Sequence, residues 1–215
     1  MQKQIFAALG LAVAAAGAQA QVLLSEGFEN VSTLSGWVML NNSSPAGAIG
    51  PWFQGDDSQF TAQSGADTSF IASNYNVGAA GGTLSAWLIT PTFATDKAVD
   101  IVFYARGAAD PGYFDQIAYG WSAGGSTPGS FTMTAPATVT TNGWTQYTVH
   151  LAAQGAGTTG RFAINYAGMD DNANYVGIDN LSVSVAAAVP EPSAALLMGA
   201  GLMGLVGWTR RRMAR

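Results

Sequence analysis

Apolar side chains recur at every second position over much of the chain. No ten-residue stretch between residues 21 and 188 shows the three-to-four spacing of an amphipathic helix. Residues 98–106 carry the alternation most plainly, with Val99, Ile101, Phe103 and Ala105 on one face. Residues 115–121 group Ile117, Tyr119 and Trp121. Residues 144–151 set Tyr147, Val149 and Leu151 against Gln146, Thr148 and His150, and residues 161–166 turn Phe162, Ile164 and Tyr166 inward. Residues 84–90 are apolar on both faces, as a central strand covered from both sides requires, and Pro91, which has no N–H for a ladder, ends them. Gly81-Gly82, Pro111-Gly112, Gly124-Gly125, Pro128-Gly129 and Asn142-Gly143 read as turns. Many short strands divided by Gly and Pro turns predict an all-β fold, a β-sandwich. In the last strand, residues 175–185, Val176 and Ile178 set one phase and Leu181, Val183 and Val185 the opposite one. The slip at Asp179-Asn180 predicts a β-bulge, which can re-aim side chains at a site; the alternative is a purely structural bulge or a strand buried on both faces.

Both ends depart from this pattern. Lys3, an apolar core over residues 5–16 and the small-x-small triplet Ala18-Gln19-Ala20 predict a signal peptide over 1–20, with the mature chain starting at Gln21. At the other end, residues 189–215 comprise Pro190-Glu191-Pro192, an uncharged apolar run over about 193–208, and a basic end over 210–215 with Arg210, Arg211, Arg212 and Arg215. The run is a little shorter than the ~20 residues that span a bilayer comfortably. With Trp208 at the interface and the arginines held on the cytoplasmic side, it can form a single transmembrane helix in a thin membrane. The 21–188 region between the ends suits one domain with a proper core. Its cations are Lys97, Arg106 and Arg161, against twelve carboxylates. Such a domain is repelled by nucleic acid. The chain has no cysteine, which excludes thiol chemistry and zinc–thiolate sites.

The order of the tail's three elements closely resembles the PEP-CTERM sorting signal of Gram-negative bacteria. That resemblance implies an exosortase-type membrane protease as partner, cutting near Pro190, Glu191 and Pro192, and an association with extracellular polysaccharide. The chain would be anchored in the inner membrane before processing and sit at the cell surface or in an extracellular matrix afterwards. The alternative is a plain C-terminal anchor on a proline-rich stem. The region between the ends resembles the choice-of-anchor J domains, relatives of the cleaved-adhesin domains. The motifs carrying this are Ser25-Glu26-Gly27-Phe28-Glu29, Gly36-Trp37, Trp52-Phe53-Gln54-Gly55, Ala62-Gln63-Ser64-Gly65, Ser69-Phe70-Ile71-Ala72 with Asn74-Tyr75, Trp87-Leu88-Ile89-Thr90-Pro91, Trp144-Thr145-Gln146-Tyr147 and Gly177-Ile178-Asp179-Asn180-Leu181-Ser182-Val183. They fall in the family's order across nearly all of residues 22–185. The glycine-rich stretch 120–129 departs from the pattern. The resemblance implies a jelly-roll sandwich, similar to carbohydrate-binding modules, in which first and last strands share a structural calcium. Glu26 or Glu29 with Asp179 fits that position. The alternative is a carboxylate hydrogen-bonded to backbone amides.

No catalytic centre stands out. The lone histidine, His150, falls on a polar strand face, and no Gly-x-Ser-x-Gly elbow is present. A carboxylate-dependent glycoside hydrolase would need two acids facing across a cleft. Glu26, Glu29, Asp56, Asp57, Asp110, Asp115, Asp170 and Asp171 are the candidates, most in turn-like segments where Asp is common for its own backbone hydrogen bonds. Asp56-Asp57 and Asp170-Asp171 are neighbours, and neighbours in extended chain point to opposite sides. Calcium needs six to eight oxygens, and no Asp-x-Asp-x-Asp-Gly loop is present. Glycan binding needs exposed aromatic faces with amides around them. Trp52, Tyr113, Phe114 and Trp121 border Gly- or Pro-rich turns, and Asn74 and Asn76 offer amides, whereas Trp37, Trp87 and Trp144 read as core. The expected function is that of a non-enzymatic structural or adhesive matrix protein with weak glycan affinity.

Overall fold

The computed structural model describes residues 20–187. The expected signal peptide, residue 20 apart, and the expected sorting tail with its transmembrane run lie outside them. Fourteen strands follow in chain order: β1 Val22–Glu26, β2 Val38–Asn41, β3 Ser44–Ala46, β4 Phe53–Gln54, β5 Ile71–Asn74, β6 Gly78–Ile89, β7 Phe93–Ala94, β8 Val99–Gly107, β9 Gln116–Ser122, β10 Thr132–Met133, β11 Ala137–Thr138, β12 Thr145–Leu151, β13 Thr159–Met169 and β14 Tyr175–Val185. They form two antiparallel sheets. One runs β12-β8-β14-β5-β4 with β1 on β14. The other runs β10-β9-β13-β6-β2, with β11 on β9, β3 on β6 and β7 on β13. The chain is therefore an all-β sandwich. No helix among the described residues is long and apolar enough to cross a membrane.

The alternation read from the sequence produces the core directly. Val99, Ile101, Phe103 and Ala105 from β8 meet Phe162, Ile164 and Tyr166 from β13 and Ile117 from β9 between the sheets. Phe103 stacks on Tyr147 with ring centroids 4.9 Å apart, and Tyr119 meets Phe103 edge-on at 5.5 Å. Each such buried ring or branched chain contributes roughly 1.5–3 kcal/mol. β6 is covered on both faces as expected. Leu84, Ala86 and Leu88 join the main core, while Trp87 and Ile89 pack outside with Ala163, Val38, Leu40, Phe131 and Met133. A third cluster lies on the outer side of the β14 sheet. There Phe60 from the long β4–β5 connection packs on Phe70 at 5.2 Å and Trp144 at 5.5 Å, and the Arg106 guanidinium lies 4.7 Å over the Phe60 ring.

Two sequence readings change in detail. Gly81-Gly82 lies inside β6 rather than between strands, in a bulge where the pairing with β3 jumps from Thr83 to Gly78 and Gly81 has φ +75°. A Cβ at Gly82 would sit 2.6 Å from the Ala79 carbonyl oxygen, so glycine is needed for a close approach rather than a reversal. The stretch 120–129 begins as the end of β9. Gly120 lies under β10, where a Cβ would meet the Thr132 carbonyl at 2.0 Å. The loop beyond is held by Ser122 Oγ donating to the Gly125 carbonyl at 2.6 Å and by a 3-10 turn over Pro128–Ser130.

The bulge falls where the phase change put it. β14 pairs β5 over Tyr175–Ile178 and β1 from Leu181 onward, and its register against β8 slips between Asp179 and Ser182. At the slip Asn180 has φ +48°, a left-handed conformation that asparagine tolerates better than most residues. The bulge is thus the point at which β14 exchanges one neighbour for another.

Candidate functional site

Three connections meet at one end of the sandwich and enclose a cleft of about 840 Å³. The β5–β6 connection is a 3-10 turn, Tyr75–Val77, capped by Asn74, whose Oδ1 accepts from the Asn76 amide at 2.9 Å. The β8–β9 connection brings Asp110 and Tyr113. The β13–β14 connection is the 3-10 turn Asp170–Asn172, followed by Ala173 and Asn174. Backbone bonds tie them together: the Phe114 amide donates to the Asn172 carbonyl at 2.8 Å, and the Tyr75 amide to the Asn174 carbonyl at 3.0 Å. Ala46 to Ala48 and the start of β6 close the remaining side.

Beneath the cleft sits Asp115, 2% exposed. Its Oδ1 accepts from the Tyr166 hydroxyl at 2.6 Å and the Asn174 amide at 2.9 Å, and its Oδ2 from the Tyr175 amide at 3.3 Å. It therefore holds the β13–β14 connection in place. Burial pushes its pKa up, with the three donors pulling the other way, and the same burial together with the Asp115 charge pushes up the Tyr166 hydroxyl.

Around the cleft the surface is unusually apolar. The exposed large hydrophobic residues of the described chain are Val22, Tyr75, Tyr113, Phe114 and Met169. Tyr75 and Tyr113, each 46% exposed, line the cleft, and Phe114 and Met169 are chain neighbours of lining residues. Three carboxylates lie among them. Asp171 Oδ1 accepts from the Gly81 amide at 3.3 Å, Asp110 Oδ2 from Asn174 Nδ2 at 3.4 Å, and Asp170 is buried with Oδ1 lacking any partner.

Of the four aromatics singled out in the sequence, Tyr113 and Phe114 are exposed here. Trp52 is not a binding face: it is 5% exposed and part of the main core. Trp121 is half-buried against that core. Bordering a glycine-rich turn did not separate an outward ring from an inward one. Trp87 is buried as read, and Trp37 and Trp144 are half-buried on Phe28 and Phe60. Asp170 and Asp171 do not splay apart, because they lie in a 3-10 turn rather than extended chain and both line the cleft. Tyr75 and Asn174 were missed as site residues; the signal available at Tyr75 was Asn74, which caps its turn, and no local pattern marked Asn174. His150 stands on the polar face as read, 2.8 Å from Asp100.

Glu26 and Asp179, two of the three acids expected at a shared calcium, already accept from backbone amides, and Glu29 lies near Asp179. Asp179 is fully buried, with Oδ2 accepting from the Gln63 amide at 2.8 Å and the Ser64 amide at 3.3 Å and Oδ1 from the Asn180 amide at 2.6 Å. Burial raises its pKa to about 6 against these amides, and the nearby Glu29 charge adds to the rise. Glu26 Oε1 is taken by the amide of Phe28, a fully buried residue at φ +55°. Among the described residues no three His, Cys, Asp or Glu side chains gather as metal ligands.

Residues 188–212 match the PEP-CTERM protein-sorting motif, which marks the chain for export and membrane-linked sorting to the cell surface. No curated protein matches the chain. Among solved structures it is similar to the K1 cleaved adhesin domain of Lys-gingipain from Porphyromonas gingivalis W83, at TM-score 0.58 and 22% identity, covering 76% of this chain and 98% of that one. The K3 domain of the same protein follows at TM-score 0.55 and 18% identity, covering 77% and 99%. At these identities the likeness is one of fold.

Proposed function

We propose that the chain is an exported, surface-sorted, non-enzymatic module that holds a saccharide in the cleft between Tyr75 and Tyr113, in association with extracellular polysaccharide. In this reading the signal peptide over 1–20 directs export. The apolar run 193–208 anchors the jelly-roll module in the inner membrane, and an exosortase-type protease acts near Pro190-Glu191-Pro192. The observation carrying the binding assignment is the gathering of exposed apolar residues at one cleft. A soluble domain leaves such a patch where something covers it. Tyrosine rings offer flat apolar faces to the C–H surface of a sugar, while Asn76, Asn174 and the carboxylates accept or donate to its hydroxyls.

The test is affinity electrophoresis and titration calorimetry of the full-length chain in detergent against a panel of polysaccharides. Tyr75→Ala and Tyr113→Ala should each weaken binding about tenfold, with melting temperature unchanged because both rings are solvent-facing. Absence of binding to every glycan, or binding indifferent to both substitutions, would remove the assignment. A second reading, a carboxylate-dependent glycoside hydrolase, draws on Asp110, Asp170 and Asp171 lining one cleft. Turnover of a polysaccharide or chromogenic glycoside that vanishes with a single Asp→Asn change in this trio would establish it.

A further inference from the structure

The cleft carries charge of one sign. Its lining includes Asp110, Asp170 and Asp171 and no lysine, arginine or histidine. Two of these acids have one long bond each, from Asn174 Nδ2 to Asp110 and from the Gly81 amide to Asp171. Asp170 is different in kind. It is only 6% exposed, lies against the cleft, and keeps a carboxylate oxygen with no donor at all. Buried polar atoms are nearly always paired, and one left without a donor calls for a water or an ion to complete it; at the edge of a cleft a cationic group of a ligand is suited to that role. The two exposed tyrosine rings flanking the acids attract a cation through their faces as well.

Resting on the saccharide-binding reading, we propose that this cleft selects a cationic saccharide: a deacetylated amino-sugar chain whose separate ammonium groups meet the carboxylates of Asp110, Asp170 and Asp171 along the cleft while a sugar ring lies on Tyr75 or Tyr113. An ammonium brings three donors and suits an acceptor-only, carboxylate-lined pocket. A metal ion would need the acids drawn together as ligands, and among the described residues no three acids gather that way. A uronic acid polymer meets like charge from the trio and from a domain whose cations, Lys97, Arg106 and Arg161, lie outside the cleft lining. The N-acetylated form of the same sugar keeps the ring stacking and loses the charge, so it separates charge selection from stacking.

The experiment titrates the full-length chain in detergent with a glucosamine oligomer, its N-acetylated counterpart and a galacturonate oligomer of equal length, at low and high salt, with and without chelator. The glucosamine oligomer should bind about tenfold tighter than the N-acetylated one, a gap of about 1.4 kcal/mol. That advantage should shrink with salt, the galacturonate oligomer should not bind, and chelator should change nothing. Asp170→Asn and Asp171→Asn should each bring the two amino-sugar forms to similar affinity while leaving the N-acetylated form bound. Asp96→Asn, an equal change of charge at an exposed residue outside the cleft lining, should leave the preference intact. If Asp170→Asn fails to fold, Asp171→Asn and Asp110→Asn carry the same comparison. Equal affinity for both amino-sugar forms overturns charge selection while leaving saccharide binding in place. So does a preference that Asp96→Asn removes as well, since it then belongs to net charge. Loss of binding in chelator assigns the acids to a metal and overturns it too. Binding to no oligomer or polysaccharide sinks both readings.

Discussion

Asp115 and Asp179 are buried carboxylates whose oxygens face several donors, and asparagine cannot replace them quietly. An amide would turn an NH₂ toward one of the donors, Tyr166 Oη or the Asn174 and Tyr175 amides for Asp115, leaving it unpaired. Asp115→Asn should therefore cost about 1–3 kcal/mol in chemical denaturation, and Tyr166→Phe, which removes one bond without adding a donor, about 1 kcal/mol. An Asp115→Asn protein as stable as the parent would mean that this hydrogen-bond cluster does not hold the β13–β14 connection. Burial also gives both acids a pH signature of the less common sign. Their folded pKa values lie above the unfolded ones, so between the two the native state binds more protons and stability falls as pH rises. For Asp179 the window runs from about 4 to about 6, with up to about 3 kcal/mol at stake. Repulsion among the domain's twelve carboxylates acts in the same direction, so the measurement is a difference. Asp179→Ala should be less stable than the parent near pH 4.5, for want of an acceptor for three amides, and that gap should narrow by neutral pH. A gap constant across the window would show that Asp179 titrates as an ordinary carboxyl.

Among the elements, β14 was legible to the residue and the cleft was not. The strands could be read because alternation is a local record of which face is buried, and the phase slip at Asp179-Asn180 recorded the bulge in the same way. The cleft is assembled from residues 75–77, 110–113 and 170–174, which the strand order β8-β14-β5 brings to one end. No local pattern states that meeting. Trp52 and Trp121 show the same limit, since a tryptophan beside a glycine is equally compatible with either side of a sheet. The bulge itself offers a test. Asn180→Ala keeps the φ +48° requirement without asparagine's tolerance for it, and loses the Nδ2 bond to Ser64 Oγ at 2.9 Å. It should cost about 1–3 kcal/mol, and Asn180→Gly less, since glycine relieves the backbone term. Equal stability of the two variants would show that the bonds, not the backbone, set the cost. Asp179 already accepts from three backbone amides, so melting in calcium and in chelator should coincide. A chelator-dependent fall approaching the ~2.7 kcal/mol of a site at a hundredfold excess over its Kd would restore the calcium reading.

At the scale of the whole molecule, the acidic module and the cationic tail have opposite requirements. With three cations against twelve carboxylates the module is built to remain in water and to stay clear of anionic membrane surfaces. In the proposed reading the apolar run and its arginines do the reverse, since arginines beside a membrane segment hold that end in the cytoplasm. On that reading the chain stays at the membrane only while the tail is attached. The matched motif at 188–212 begins two residues ahead of Pro190, at the junction between the two parts. Cleavage there would leave the module with no apolar segment to retain it, and its own surface charge would favour release from the membrane. Intact-mass measurement on protein from the native host should therefore find a mature form starting at Gln21 and ending near Pro190-Glu191-Pro192, recovered from the surface or matrix fraction, with the full-length chain confined to membranes. Replacing Arg210, Arg211 and Arg212 together by glutamine should weaken retention of the tail on the cytoplasmic side and lower the yield of the trimmed form. A full-length chain that persists in the membrane under every growth condition, with no trimmed form anywhere, would make the tail a permanent anchor and hold the cleft at the membrane surface.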